Sequence, residues 1–118
     1  MKIGLATNSP AIIIPAVLKK TNTDTFFDAV SSADVETEGK PDPAIYLTTA
    51  QKLNVSPSEC LVIEDSVSGA IAAKRAGMTA AGFLTGENNN LSDIADFVIT
   101  DFTNITFYSL YYCTKIFS

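Results

Sequence analysis

The apolar run Leu61-Val62-Ile63 goes straight into Glu64-Asp65-Ser66 and then into a stretch of small residues. A continuous apolar run of this kind reads as a strand buried on both faces, as in a parallel sheet covered by helices. The stretch from about Val67 to Ala76 carries Gly69 and alanines at 70, 72, 73 and 76, which suits a helix packed close against that sheet. Gly77 stands at the usual C′ stop.

The rest of the chain alternates strand and helix patterns, which predicts an α/β domain with a parallel sheet. A first strand is expected over Ile3 to Ala6, ended by Thr7-Asn8-Ser9-Pro10. Ser9 suits an N-cap and Pro10 a first helical position, with a helix through Lys20; Pro15 either kinks that helix or moves its start. A second strand is expected near Phe27 to Val30. The loop Glu38-Gly39-Lys40-Pro41-Asp42-Pro43 opens a helix with Ile45, Tyr46, Ala50 and Leu53 on its apolar face and Asn54 as a left-handed stop. Thr79 to Leu84 reads as a strand, Leu91 to Ala95 as a short helix, and Phe97 to Thr100 as a final strand. The tail from Phe102 to Ser118 is rich in aromatic and β-branched residues but has no period. It reads as a last helix, a last strand, or a segment that needs a partner surface.

Composition removes several classes of function. The chain has 118 residues, room for one domain, and 47% hydrophobic residues, enough for a folded core. The net charge is -5 with no basic run beyond Lys19-Lys20, so a nucleic-acid partner is not expected. There is no histidine, which excludes histidine-based acid–base, nucleophilic and metal chemistry. No apolar run approaches the roughly 20 residues of a membrane span, so no membrane partner is expected. Met1-Lys2-Ile3 enters a strand at once without the shape of a signal peptide, and Cys60 reads as a buried free thiol. With only Cys60 and Cys113 present, a reducing cytoplasm is the expected setting.

Three polar clusters fall at strand carboxyl ends, where open parallel sheets bind ligands: Thr7-Asn8-Ser9, Lys40 in its loop, and Glu64-Asp65-Ser66. A hydroxyl with backbone amides suits a phosphate oxygen, and a lysine suits the remaining charge. Adjacent carboxylates suit magnesium, which takes hard oxygen ligands. Each cluster also has a plainer reading. Thr7 to Ser9 can be a strand-to-helix cap, Lys40 a solvated loop lysine, and Glu64-Asp65 a complement to a helix dipole.

Leu5-Ala6-Thr7-Asn8-Ser9, then Gly39-Lys40-Pro41-Asp42-Pro43, then Val62-Ile63-Glu64-Asp65-Ser66 with Gly69, Ala70, Ala73 and Ala76-Gly77-Met78, closely resembles the haloacid dehalogenase superfamily. The nearest branch is that of β-phosphoglucomutase and the sugar-phosphate phosphatases. The resemblance covers about residues 2–105 of a single core domain and leaves 106–118 unmatched. It implies a three-layer Rossmann-like core and a magnesium-dependent phosphatase or phosphomutase acting on small phosphorylated metabolites such as sugar phosphates. Thr7 matches the residue that bonds the transferring phosphoryl group, with Asn8 and Ser9 lining the same loop. Lys40 matches the lysine that steadies the nucleophile and the phosphate. Asp65 matches the magnesium ligand, and Glu64 its acidic neighbour, which helps hold the metal and its waters.

The sequence departs from that pattern at one place. The family's aspartate nucleophile, in an Asp-x-Asp motif on a strand before the hydroxyl motif, has no counterpart before Thr7. The resemblance thus implies a core lacking its nucleophile strand and cap, with weak magnesium binding and little turnover as an isolated chain. That strand lies at the centre of the family's sheet. Unpaired edges are therefore expected, unless the sheet closes up, the chain self-associates or a complementing chain fills the gap. Asp101, in Thr100-Asp101-Phe102-Thr103, is a permuted alternative, although Ala95 to Ile105 also matches the ordinary end of the core. A receiver domain shares these residue types, but its acidic pocket precedes its threonine and lysine, the reverse of the order here. A non-catalytic remnant that binds phosphate or supports assembly is the alternative to an enzyme.

Overall fold

The computed structural model describes residues 2–35, 39–86, 89–100 and 114–117. Among these residues six strands form one sheet in the order β2-β1-β6-β3-β4-β5. They are β1 (Lys2–Thr7), β2 (Ala29–Ser32), β3 (Cys60–Glu64), β4 (Thr79–Phe83), β5 (Phe97–Ile99) and β6 (Thr114–Phe117). Every neighbouring pair is parallel. Among the described residues three α-helices accompany the sheet: α1 (Ile14–Lys20), α2 (Ala44–Leu53) and α3 (Val67–Arg75). Among the described residues, no helix is long and apolar enough to cross a membrane.

All five residues of β3 are buried, as its unbroken apolar run requires. Cys60 and Val62 pack with Ala6 and Ala29 of the sheet against Ile45, Tyr46, Ala50 and Leu53 of α2 and the alanines of α3. Leu61 and Ile63, pointing the other way, join Ala81 and Ile99 in a second apolar cluster. The alanines and Gly69 of α3 let it lie close on β3 and β4, and Gly77 ends it with φ of +80°. Asn54 ends α2 in the left-handed region, as expected.

Several boundaries differ from the sequence reading, each for a local reason. Helix α1 begins at Ile14, not at Pro10, and Pro15 falls in its first turn, where a missing N–H breaks no helical bond. Residues 11–13 form a turn instead, fixed by the Ala11 N–H donating to Asp34 Oδ2 at 2.9 Å. Strand β2 starts two residues later than expected, because Asp28 is spent on β1: its carboxylate accepts from the Ile3 N–H, and its own N–H donates to the Ile3 carbonyl. The short helix expected over 91–95 is a 3-10 helix at Asn89–Asp93.

The unpaired edges expected at the centre are not there. Thr114–Phe117, from the tail that had three readings, is a strand and lies between β1 and β3. It pairs in parallel with both, Gly4 and Val62 each standing opposite Ile116. Ile116 is fully buried among Ala6, Val62, Ile45 and Tyr46. The sheet is thus continuous from β2 to β5, closed by this chain's own residues.

Candidate functional site

The carboxyl ends of β1 and β3 carry the clusters singled out in the sequence. At the end of β3, the Glu64 side chain is only 3% exposed. A carboxylate so deep in the fold requires donors, and it has them on both oxygens. Oε1 accepts from the Asp65 N–H at 3.0 Å, the Ser66 N–H at 3.1 Å and the Ser66 hydroxyl at 3.1 Å. Oε2 accepts from the Tyr46 hydroxyl at 2.6 Å and from Lys40 Nζ at 3.0 Å. Ser66 in turn caps α3, accepting from the Gly69 N–H at 3.1 Å. The first turn of α3 presses on this carboxylate: a Cβ on Gly69 would collide with Glu64.

Lys40 reaches this buried acid from the loop before α2, with its side chain 5% exposed. Its ammonium also stands 5.1 Å from the centre of the Tyr46 ring, within reach of a cation–π contact. Lys40 is therefore a held cation and not a solvated loop lysine. Asp65, the next residue, is exposed. Partial desolvation first, then the hydrogen bond and charge of Glu64, raise its carboxyl from the ordinary value although most of the residue faces solvent.

Thr7 lies at the end of β1, two strand spacings or about 10 Å from β3. Its hydroxyl oxygen accepts from the Ser9 N–H at 3.1 Å, which leaves its proton to donate elsewhere. Thr7 and Ser9 line a small cavity of about 40 Å³ with Leu5 and residues of α1, and Asn8 is exposed. The structure thus joins Lys40, Glu64 and Asp65 in one cluster and sets the Thr7 loop across the β6 position from them.

Two participants escaped the sequence reading. In the sequence Tyr46 belongs to an apolar helix face, and nothing in that pattern shows that its hydroxyl meets Glu64. Asp34 shapes the Thr7 loop: Ser32 Oγ lies 2.6 Å from the Ser9 carbonyl oxygen and 2.5 Å from Asp34 Oδ1. The Ser32 hydrogen bond, then that of Ala11, holds the Asp34 carboxyl below its usual value. A cavity of about 570 Å³ lies away from this cluster between α1 and β2 and is lined mainly by apolar side chains.

The sequence model of the haloacid dehalogenase-like hydrolases matches residues 1–77. The chain belongs to that family. β-Phosphoglucomutase of Bacillus subtilis is 41% identical over 87 residues, which are 74% of this chain and 38% of that protein. Hexitol phosphatase B of Escherichia coli K12 is 37% identical over 106 residues, 88% of this chain and 48% of its own length. The chain therefore spans less than half the length of either relative. Its fold superposes on β-phosphoglucomutase of Clostridium difficile with a TM-score of 0.79 at 31% identity, over 93% of this chain and 47% of that one. A haloacid dehalogenase phosphatase from Thermococcus onnurineus gives a TM-score of 0.83 at 29% identity, over 94% of this chain and 51% of that one.

Among the described residues of this haloacid dehalogenase-like chain, no three acids, cysteines or histidines converge on one point. Among those residues the donor set for a magnesium ion is small. A carboxylate offers about four lone-pair positions, and the donors on Glu64 already account for them. Asp65 fits magnesium, which commonly takes one or two carboxylates and keeps its waters. Asp101 and Cys113, both singled out in the sequence, lie outside the described residues.

Proposed function

We propose that this chain supplies the phosphate-binding and cation-binding half of a phosphatase or phosphomutase acting on small phosphorylated metabolites, sugar phosphates in particular. The observation that carries this reading is the Lys40 ammonium held at 3.0 Å from the buried Glu64 carboxylate, beside the exposed Asp65. A lysine fixed in this way meets an incoming phosphoryl group without first being ordered. Thr7 keeps a proton to donate to a phosphoryl oxygen, and the Ser9 N–H fixes its orientation. Asp65 would hold magnesium, which supplies positive charge against the phosphoryl oxygens. The names of the relatives, a hexitol phosphatase and a β-phosphoglucomutase, support sugar phosphates as the substrate class.

Turnover by this chain alone should be slight. The 118 residues contain no Asp-x-Asp pair, and aspartyl-phosphate chemistry needs a carboxylate in line with phosphorus. Binding without turnover is therefore the second reading, favoured by β6, whose sequence Thr114-Lys115-Ile116-Phe117 brings no acid to the centre of the sheet.

The test is an aryl-phosphate hydrolysis assay with and without magnesium, together with calorimetric titration of inorganic phosphate. Wild type, Lys40→Met and Asp65→Asn are compared. Phosphate binding that weakens at least tenfold in Lys40→Met, with turnover near background, is the expected result. Equal phosphate affinity in wild type and Lys40→Met would overturn the reading. Magnesium-dependent turnover lost in Asp65→Asn would move the chain from binder to complete enzyme.

A further inference from the structure

We propose that the cavity between α1 and β2 is a binding site for an amphiphilic monoanion, a small molecule with an apolar body and one carboxylate. Its lining shares no residue with Thr7 or with the Lys40, Glu64 and Asp65 cluster, so the site stands apart from any phosphate binding there. The volume of about 570 Å³ falls within the roughly 300–1,000 Å³ of pockets that hold small molecules. The walls are Ala11, Ile14, Pro15 and Leu18, from α1 and the turn before it, and Val30 of β2. Ser32 also lines the cavity, but its hydroxyl is engaged by the Ser9 carbonyl and Asp34. Water against such walls finds few partners, so an apolar body that displaces it is favoured.

The charge at the mouth sets the other half of the ligand. Val30 and Ser32 alternate along β2 with Ala29, which packs in the main core with α2, so the cavity lies on the opposite face of the sheet. β2 is an edge strand, which leaves that end of the sheet open. Lys52 uses the opening. From α2 it reaches around the edge, donates from Nζ to the Val30 carbonyl at 2.8 Å and joins the cavity rim. Lys19, in the last turn of α1, is the second cation of the lining, and Asp24 is its one acid. Two of the chain's 8 basic residues and one of its 13 acidic ones thus meet at this mouth, a local excess of positive charge on a chain of net charge -5. All three are exposed, so an anionic head meets them while its apolar body lies against the walls. One negative charge fits that balance, and a second would meet Asp24. Cations beside apolar walls select an amphiphilic anion over a neutral apolar molecule or a sugar.

The test uses the full chain and decanoate, well below micelle formation, followed by NMR amide shifts and calorimetry, with circular dichroism of every variant. Saturable binding with Kd below about 1 mM is expected, with shifts centred on Ala11, Leu18 and Val30. Lys19→Gln and Lys52→Gln should each weaken binding about threefold, as exposed charge pairs do. Decanol, the same chain without the charge, should bind about tenfold more weakly than decanoate, the two lysine effects combined. Val30→Phe, which fills the cavity from an edge strand, should weaken decanoate binding by at least about tenfold. Absence of saturable decanoate binding overturns the site. Decanol binding as tightly as decanoate overturns the choice of an anion. A folded Val30→Phe that binds as wild type places the ligand elsewhere and overturns the proposal as well. If Val30→Phe does not fold, the lysine variants decide, and unchanged affinity in both overturns it.

Discussion

If β6 closes the centre of the sheet, shaving one of its side chains should destabilise the whole molecule. Ile116 is the side chain to cut, being fully buried between Gly4 of β1 and Val62 of β3 and under α2. Ile116→Ala deletes three carbons, worth about 2.4 kcal/mol at roughly 0.8 kcal/mol for each buried group. The cavity left behind adds to this, because strands paired on both sides cannot move together to fill it, so a loss of about 3–4 kcal/mol is expected. That is a large part of the 5–15 kcal/mol that keeps a domain of this kind folded. At about 3–5 °C per kcal/mol for a chain this long, Tm should fall by roughly 10–20 °C. Urea unfolding followed by circular dichroism measures the free energy, with Ile12→Ala as control. Ile12 is 88% exposed and should change stability by less than about 0.5 kcal/mol. If Ile116→Ala matches that control, Thr114–Phe117 does not hold the centre of the sheet.

Other expectations follow from single contacts. Gly69→Ala places a methyl group where the Glu64 carboxylate lies, so the bonds from Lys40, Tyr46 and Ser66 must shift. A loss of about 2–4 kcal/mol in urea unfolding is expected, against the gain of about 0.5–1 kcal/mol that the same change brings at an open helical site. The Cys60 thiol, buried and with Glu59 nearby, is pushed up to about 11, so native protein at pH 8 should react with iodoacetamide at Cys60 far more slowly than urea-unfolded protein. Equal rates would mean that β3 opens readily. Asp34 has its carboxyl held down in the fold by Ser32 and Ala11, so its stabilising effect is present above its unfolded value near 3.8 and is lost as pH falls through the lower folded one. In an acid titration followed by NMR, the Ala11 amide should shift together with the Asp34 carboxyl, and Asp34→Asn should remove that shift. An Ala11 amide that ignores the titration would show that the contact is not made in solution.

The strand β3 and its polar end were legible because a run buried on both faces leaves no choice of period. Gly77 and Asn54 were legible because few residues tolerate a positive φ. The start of α1 was not. Ser9-Pro10 is a sound local signal, but the Ala11 N–H is taken by Asp34, from a segment 23 residues away. The Lys40, Glu64 and Asp65 cluster was named from its types and spacing. What each acid does was not visible, since Glu64 and Asp65 are adjacent in sequence yet one is sealed under α3 and the other is exposed.

By itself, then, the sequence determined the α/β class, the alternation of elements and which strand ends carry polar chemistry. Those follow from local patterns of burial, turn residues and charge. Only the tertiary structure decided that the aperiodic tail supplies the central strand, because strand pairing is chosen by which edges stand open elsewhere in the sheet. It also decided that Tyr46 belongs to the Lys40–Glu64 pair. A hydroxyl on an apolar helix face acquires a role only when packing brings a buried carboxylate within 2.6 Å of it.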